Sequence, residues 1–130
     1  ADCFVSSTFG ADLISIAAAL STIEEIETKN VITHIWQMGE KFKEGFNSLA
    51  LNMEINAKCE GLPCRTRFVF PTENHLKLFW KHCLANGVLF GKAQFISFSH
   101  GQEELDITFN AMRAAFRILK KYWEKPELGI

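Results

Sequence analysis

An α+β domain is the fold class that the 130-residue sequence predicts. Three observations point there. Apolar residues recur at spacings of three and four along four long stretches. The period changes to alternation near residues 64–70 and again near 94–99. The two kinds of stretch interleave, and helices interleaved with short antiparallel strands make an α+β unit with a small sheet of three to four strands.

The first helix is expected over roughly residues 11–28, where Leu13, Ile16, Ala17, Leu20 and Ile23 form the repeat and Glu25 stands four residues before Lys29. Asn30 reads as the N-cap of a second helix, whose stripe is Val31, Ile35, Met38, Phe42, Phe46 and Leu49. Two antiparallel strands follow around the Gly61 and Pro63 turn, and Pro71 closes them. Thr72 caps a third helix with Leu76, Phe79, Trp80, Cys83 and Leu84 on its apolar side, and Asn86 with Gly87 stops it. "VLF" and "AQFISFS" supply one or two further strands. The last helix starts near Gln102, carries Leu105, Phe109, Met112, Phe116 and Leu119, and ends in "KKYWEK", where cations suit the C-terminal dipole.

In outline, residues 1–130 are read as one domain: an opening segment 1–10, two helices over 11–51, a strand-strand-helix-strand-strand-helix run over 52–122 and a tail 123–130. Ala1 in place of methionine, and a strand-like start, make a piece of a longer chain the expectation.

Composition narrows the function classes. A hydrophobic fraction of 48% with twelve phenylalanines supplies a real core, and a domain of this size buries roughly two thirds of its unfolded surface. Net charge is −1, with 14 basic and 15 acidic residues interspersed, so no nucleic-acid partner is expected. The longest apolar run, Leu13 to Leu20, is interrupted by Ser15 and falls short of the ~20 residues that a membrane span needs. Cys3, Cys59, Cys64 and Cys83 are too few and too irregularly spaced for a secreted disulfide scaffold, which points to a reducing, cytoplasmic setting.

Candidate sites are sparse. Cys59 and Cys64 make one loose pair and His82 adjoins Cys83, which is less than the paired spacings zinc requires, so no metal is expected. No spacing names a base for a cysteine or serine nucleophile, and no catalytic residue is assigned. Arg65 and Arg67 share one strand face, where two guanidinium forks would meet a carboxylate or phosphate or else balance acidic neighbours in solvent. His100 sits where a strand hands over to a helix and is expected to bond the local backbone. The opening "SSTFGADLISIAAAL" carries the clearest signal. Hydroxyls of Ser7 and Thr8 just before Gly10 stand at a helix N-terminus, where they either cap the helix or complete an anion site, and Asp12 competes for the same positive end.

Beyond spacing, the succession "FVSSTFGADLISIAAALSTIEEIETKNVITHIWQMGEKFKEGFNSLA", then "GLPCR", then "GVLFGKAQFISFSHGQEELDITFNAMRAAFRIL" resembles the C-terminal part of class III pyridoxal-phosphate-dependent aminotransferases, in the branch close to glutamate-1-semialdehyde aminomutase. The resemblance runs from about Phe4 to Leu119. It implies the small domain of a fold-type I enzyme that works as a homodimer on small-molecule amino donors and acceptors, through aldimine and ketimine intermediates. It further implies that Thr8, with Ser7 and the backbone of Phe9 beside it, contacts the pyridoxal 5'-phosphate of the neighbouring subunit. The Schiff-base lysine lies upstream in the family and no lysine precedes Lys29 here, so this piece alone is expected to be inactive and to bind no cofactor.

Two departures qualify what carries over. Only Gly91, Lys92 and Ala93 separate "GVLF" from "QFISFSH", where the aminomutase pattern has a longer loop bearing a glutamate; this favours an aminotransferase with another amino acceptor. Arg113 and Arg117 do not match the family's late substrate arginine. The rival reading is a free-standing α+β interaction domain without cofactor, whose dry first helix packs on a partner.

Overall fold

The structure is a computed structural model that describes residues 12–129. The chain divides after Ile32 into two compact units.

In the first unit, helix α1 spans Leu13–Thr28. Its N-cap is Asp12, in extended conformation, whose carboxylate accepts from the Ser15 N–H at 3.2 Å and from the Ser15 hydroxyl. The helix thus begins two residues later than the sequence predicts, and an acid rather than a serine or threonine hydroxyl satisfies its first turn. The Ser15 hydroxyl bond and then the Ser15 amide bond hold the Asp12 carboxyl below its ordinary range. No residue of α1 is buried, and Leu13, Ile14 and Leu20 are 78%, 81% and 64% exposed.

Asn30 does not cap the second helix in the expected extended form. Its φ of +51° is left-handed, a conformation asparagine tolerates better than most residues, and it follows Lys29, the C-cap of α1. Helix α2 then runs Val31–Asn52, and all but its start belongs to the second unit.

The second unit continues with β1 (Lys58–Leu62), β2 (Arg65–Val69), α3 (Glu73–Ala85), β3 (Gln94–Phe95), α4 (Gln102–Lys121) and a 3-10 turn, Pro126–Gly129. The strands form one antiparallel sheet in the order β1-β2-β3. Cys59 faces Phe68, Glu60 faces Arg67, and Arg65 faces Phe95. Alternation along β2 buries Thr66 and Phe68 and exposes Arg65, Arg67 and Val69, so one sheet face is dry and the other wet. Of the one or two strands expected between residues 88 and 99, the structure forms one of two residues.

The core is aromatic. Phe46, on α2, is fully buried and stacks on Phe68 of β2 with centroids 4.6 Å apart. It also meets Phe79 of α3 and Phe116 of α4 edge-on at 5.8 and 5.4 Å. One ring therefore touches every layer of the unit, and Leu78, Met112, Leu119 and Cys83 fill the space around it. Two further devices hold α2 to the sheet. At Gly39 a Cβ would lie 2.0 Å from the Pro63 carbonyl oxygen, so only glycine lets the helix approach the β1–β2 turn. The Asn47 amide pairs with the edge of β1, donating to the Cys59 carbonyl at 3.0 Å and accepting from the Cys59 N–H at 2.8 Å.

The caps of α3 follow the sequence. The Thr72 hydroxyl accepts from the His75 N–H. At the far end the Gly87 and Val88 N–H groups bond the Leu84 and Cys83 carbonyls at 2.9 and 3.0 Å, a Schellman motif with Gly87 at φ +83°. The buried side of α3 is nevertheless His75, Leu78, Phe79 and Cys83, while Leu84 is 57% exposed. The reason is the returning tail. His75 Nε2–H donates to the Trp123 carbonyl at 2.9 Å with the Trp123 ring 4.3 Å away, and Pro126 is buried. A polar residue sits inside because the chain after α4 brings it a partner.

Replacing Phe46 by alanine removes the ring common to all layers and is expected to cost about 3–5 kcal/mol of unfolding free energy. Phe98→Ala, at a ring that is 44% exposed, is expected to cost under about 1 kcal/mol. Urea titration followed by circular dichroism measures both.

Candidate functional site

Ser7, Thr8 and Phe9, the residues expected to meet a cofactor phosphate, lie outside the described residues. Their chemistry is still legible. Residues 4–11, "FVSSTFGA", offer three hydroxyls and several backbone N–H groups and no acidic side chain, a donor set that suits a phosphate. Downstream, the Asp12 carboxylate already caps α1.

The two arginines of β2 have separate fates. Arg67 reaches across the strand pair to Glu60, with Nε and Nη2 donating to Oε1 at 3.0 and 2.6 Å, and this bond holds the Glu60 carboxyl below its usual range. Arg65 instead places its guanidinium 5.6 Å from the centroid of Phe95, its register partner on β3. Acidic neighbours thus balance one arginine of the pair and leave the other. The two arginines line, with Glu60 and Lys92, an open cleft of about 590 Å3 on the wet face.

His100 makes the local contacts expected of a turn histidine. Its Nδ1 accepts from the Ser97 N–H at 2.9 Å and lies 2.9 Å from the Ser97 hydroxyl. Its second role has no signal in the spacing. The His100 carbonyl accepts from His34 Nε2–H at 2.8 Å, and the His34 ring packs edge-on against Phe98 at 5.1 Å, which ties α2 to the 97–100 turn. The Glu104 carboxylate then caps α4 by accepting from the Gly101 N–H at 2.8 Å, a bond that lowers its affinity for a proton. Behind this turn lies a cavity of about 190 Å3 between Phe42, Phe90 and Leu105.

The thiols are packing residues. Cys59 and Cys83 are fully buried and Cys64 is half-buried, all three unbridged. Burial pushes the Cys59 thiol up and the Cys83 thiol up to about 12, the reverse of what activates a nucleophile. Among the described residues no three His, Cys, Asp or Glu side chains converge as a metal site would require. No helix of these residues is long and apolar enough to cross a membrane. Arg113 bonds Asn110 on its own helix at 2.8 Å, and Arg117 lines a cleft between the C-terminal ends of α3 and α4 with Lys121.

No family model matches the sequence. Among curated proteins it is similar to glutamate-1-semialdehyde 2,1-aminomutase of Methanosphaera stadtmanae, 29% identical over 91% of this chain and 32% of that protein. The protein of the same name from Methanocella arvoryzae is 24% identical over 90% of this chain. The chain spans about a third of the length of the curated relatives it matches. Among solved structures the fold is that of part of the FumI protein of a Sphingopyxis species, solved as its PLP internal aldimine form, with a TM-score of 0.81 and 19% identity over 95% of this chain and 31% of that one. A transaminase with PLP bound aligns at 0.75 over 92% of this chain, and an omega-transaminase from Sphaerobacter thermophilus at 0.74 over 88%; this chain covers 30% of each.

A folded-state thiol titrating near 12 against an ordinary value of 9.0 makes stability fully present below pH 9 and lost as the pH rises above it, by up to about 1.4 kcal/mol per pH unit for one group. Urea midpoints measured from pH 7 to 10.5 are expected to fall more steeply for the wild type than for Cys83→Ala.

Proposed function

We propose that this chain is the C-terminal part of a pyridoxal-phosphate-dependent enzyme of amino-group transfer. The observation that carries the reading is coincidence of extent. Sequence relatives and fold relatives independently align with about nine tenths of this chain and with only about a third of proteins whose names state aminomutase or transaminase activity.

When bound, the cofactor supplies the electron sink that such chemistry needs, and the protein supplies orientation and electrostatics. In the proposed enzyme the Schiff-base lysine lies upstream of Ala1, and this chain contributes an edge of the site. The Thr8 hydroxyl donates to a phosphate oxygen of the neighbouring subunit's cofactor, with the Ser7 hydroxyl and the Phe9 N–H as further donors. Such charge-assisted bonds anchor the phosphate and fix where the reacting end of the cofactor stands. The active unit is then a homodimer acting on small-molecule amino donors and acceptors. The three thiols among the described residues are unbridged, which supports a reducing, cytoplasmic setting.

The short link between residues 90 and 94 favours aminotransfer to an external acceptor over intramolecular aminomutase chemistry. Gly91, Lys92 and Ala93 lead directly into β3, leaving no room there for a loop that carries a glutamate.

The dry first helix fits the same reading. Its exposed leucines and isoleucines are surface that, in the proposed dimer, the rest of the enzyme or the second subunit covers. The 130-residue chain by itself is expected to self-associate, and Leu20→Lys with Ile23→Lys is expected to shift it to monomer by light scattering.

The full-length protein, mixed with pyridoxal phosphate, is expected to acquire a cofactor absorbance band near the visible region; a colourless protein overturns the enzyme reading. In that protein Thr8→Ala is expected to weaken cofactor retention about ten- to hundred-fold, the loss of one hydrogen bond to a charged group. Unchanged retention overturns the phosphate role alone.

A further inference from the structure

The wet face of the sheet carries charge that the structure does not balance. Arg67 is neutralised by Glu60 across the strands. Arg65 and Lys92 line the same cleft and pair with no carboxylate among the described residues. Lys92 acts only weakly on Glu73, which bonds Lys77 at 2.9 Å. Among the described residues the cleft therefore holds two cations without an ion-pair partner, one on β2 and one on the segment that leads into β3.

Of the two arginines that share the strand face, Arg67 is taken by Glu60, and Arg65 lines the cleft together with Lys92. The basic cleft between α3 and α4 differs in kind. There Lys120 bonds Glu54 at 2.6 Å, and Lys120 and Lys121 sit in the last turn of α4, where the helix dipole accounts for cations. A sheet face has no such dipole.

We propose that this cleft binds a small-molecule carboxylate. Arg65 supplies a planar fork that matches a carboxylate's two oxygens, and Lys92 supplies a point charge beside it. Leu62, 60% exposed and lining the cleft, gives an apolar surface for the ligand's carbon chain, and Phe95, 65% exposed on the neighbouring strand, stands against the Arg65 guanidinium. A volume of about 590 Å3 lies within the range of small-ligand sites, roughly 300–1,000 Å3. Binding replaces solvent around two exposed cations with a shared anion, so it weakens with ionic strength. The site does not depend on the aminotransfer reading.

Calorimetric titration of the protein with glutarate, and separately with inorganic phosphate, tests it. Saturable one-to-one glutarate binding is expected, weakened about tenfold or more by Arg65→Gln and less by Arg67→Gln, with phosphate weaker than glutarate. On the wild type, glutarate is expected to move the backbone amide resonances of Arg65, Lys92 and Phe95, a readout that needs no variant to fold. No saturation, equal losses in the two arginine variants, tighter binding of phosphate, or resonance shifts away from the cleft would overturn the proposal.

Discussion

The stacking of Phe46 on Phe68, with Phe79 and Phe116 closing edge-on around the same ring, is the contact on which the rest of the second unit depends. It joins α2, β2, α3 and α4 in one place. Offset and edge-on rings gain from their quadrupoles as well as from burial, worth about 0.5–1.5 kcal/mol per pair beyond the area term. Three small strands would not hold alone, and the β3 strand of two residues least of all. They persist because one sheet face is dried by these rings and because the Asn47 amide satisfies the outer edge of β1.

That packing decides where function can sit. Within the second unit, a core facing inward on α2, α3 and α4 leaves the outer sheet face and the 88–104 segment as surfaces available for chemistry. The first is basic and partly apolar, and the second is knotted by His34, His100 and Glu104. Where a described hydroxyl meets an imidazole, as Ser97 meets His100 and Thr72 meets His75, the bond is a local one within a turn or a helix cap. The buried thiols of Cys59 and Cys83 are pushed away from ionisation by the same core.

Much of the fold was legible in the sequence because local signals and packing agreed. Phe42, Phe46, Met112 and Phe116 fall at helical spacing and are buried, and Thr72 with Asn86 and Gly87 bounds α3 as their backbone chemistry requires. What escaped was set by distant parts of the chain. His75 is interior because Trp123 returns a carbonyl to it, and Gly39 is glycine because Pro63 crosses behind it. Asp12 takes the N-cap in place of a first-turn position, and Asn30 precedes α2 as expected but in a left-handed exit from α1, since residues that favour caps also favour first turns and left-handed exits. Of the sites, the division of labour between Arg65 and Arg67 needed the register that sets Glu60 opposite only one of them. Ser7, Thr8 and Phe9 rest on the resemblance of their segment to a family and on donors suited to phosphate.

The central claim is that the opening hydroxyls belong to a cofactor site completed across a subunit boundary. A crystal structure of the full-length protein with pyridoxal phosphate tests it most directly. The account expects the Thr8 hydroxyl within about 2.5–3.0 Å of a phosphate oxygen on the cofactor bound by the other subunit. A Thr8 hydroxyl turned to its own backbone, with the phosphate held entirely by upstream residues, would contradict it.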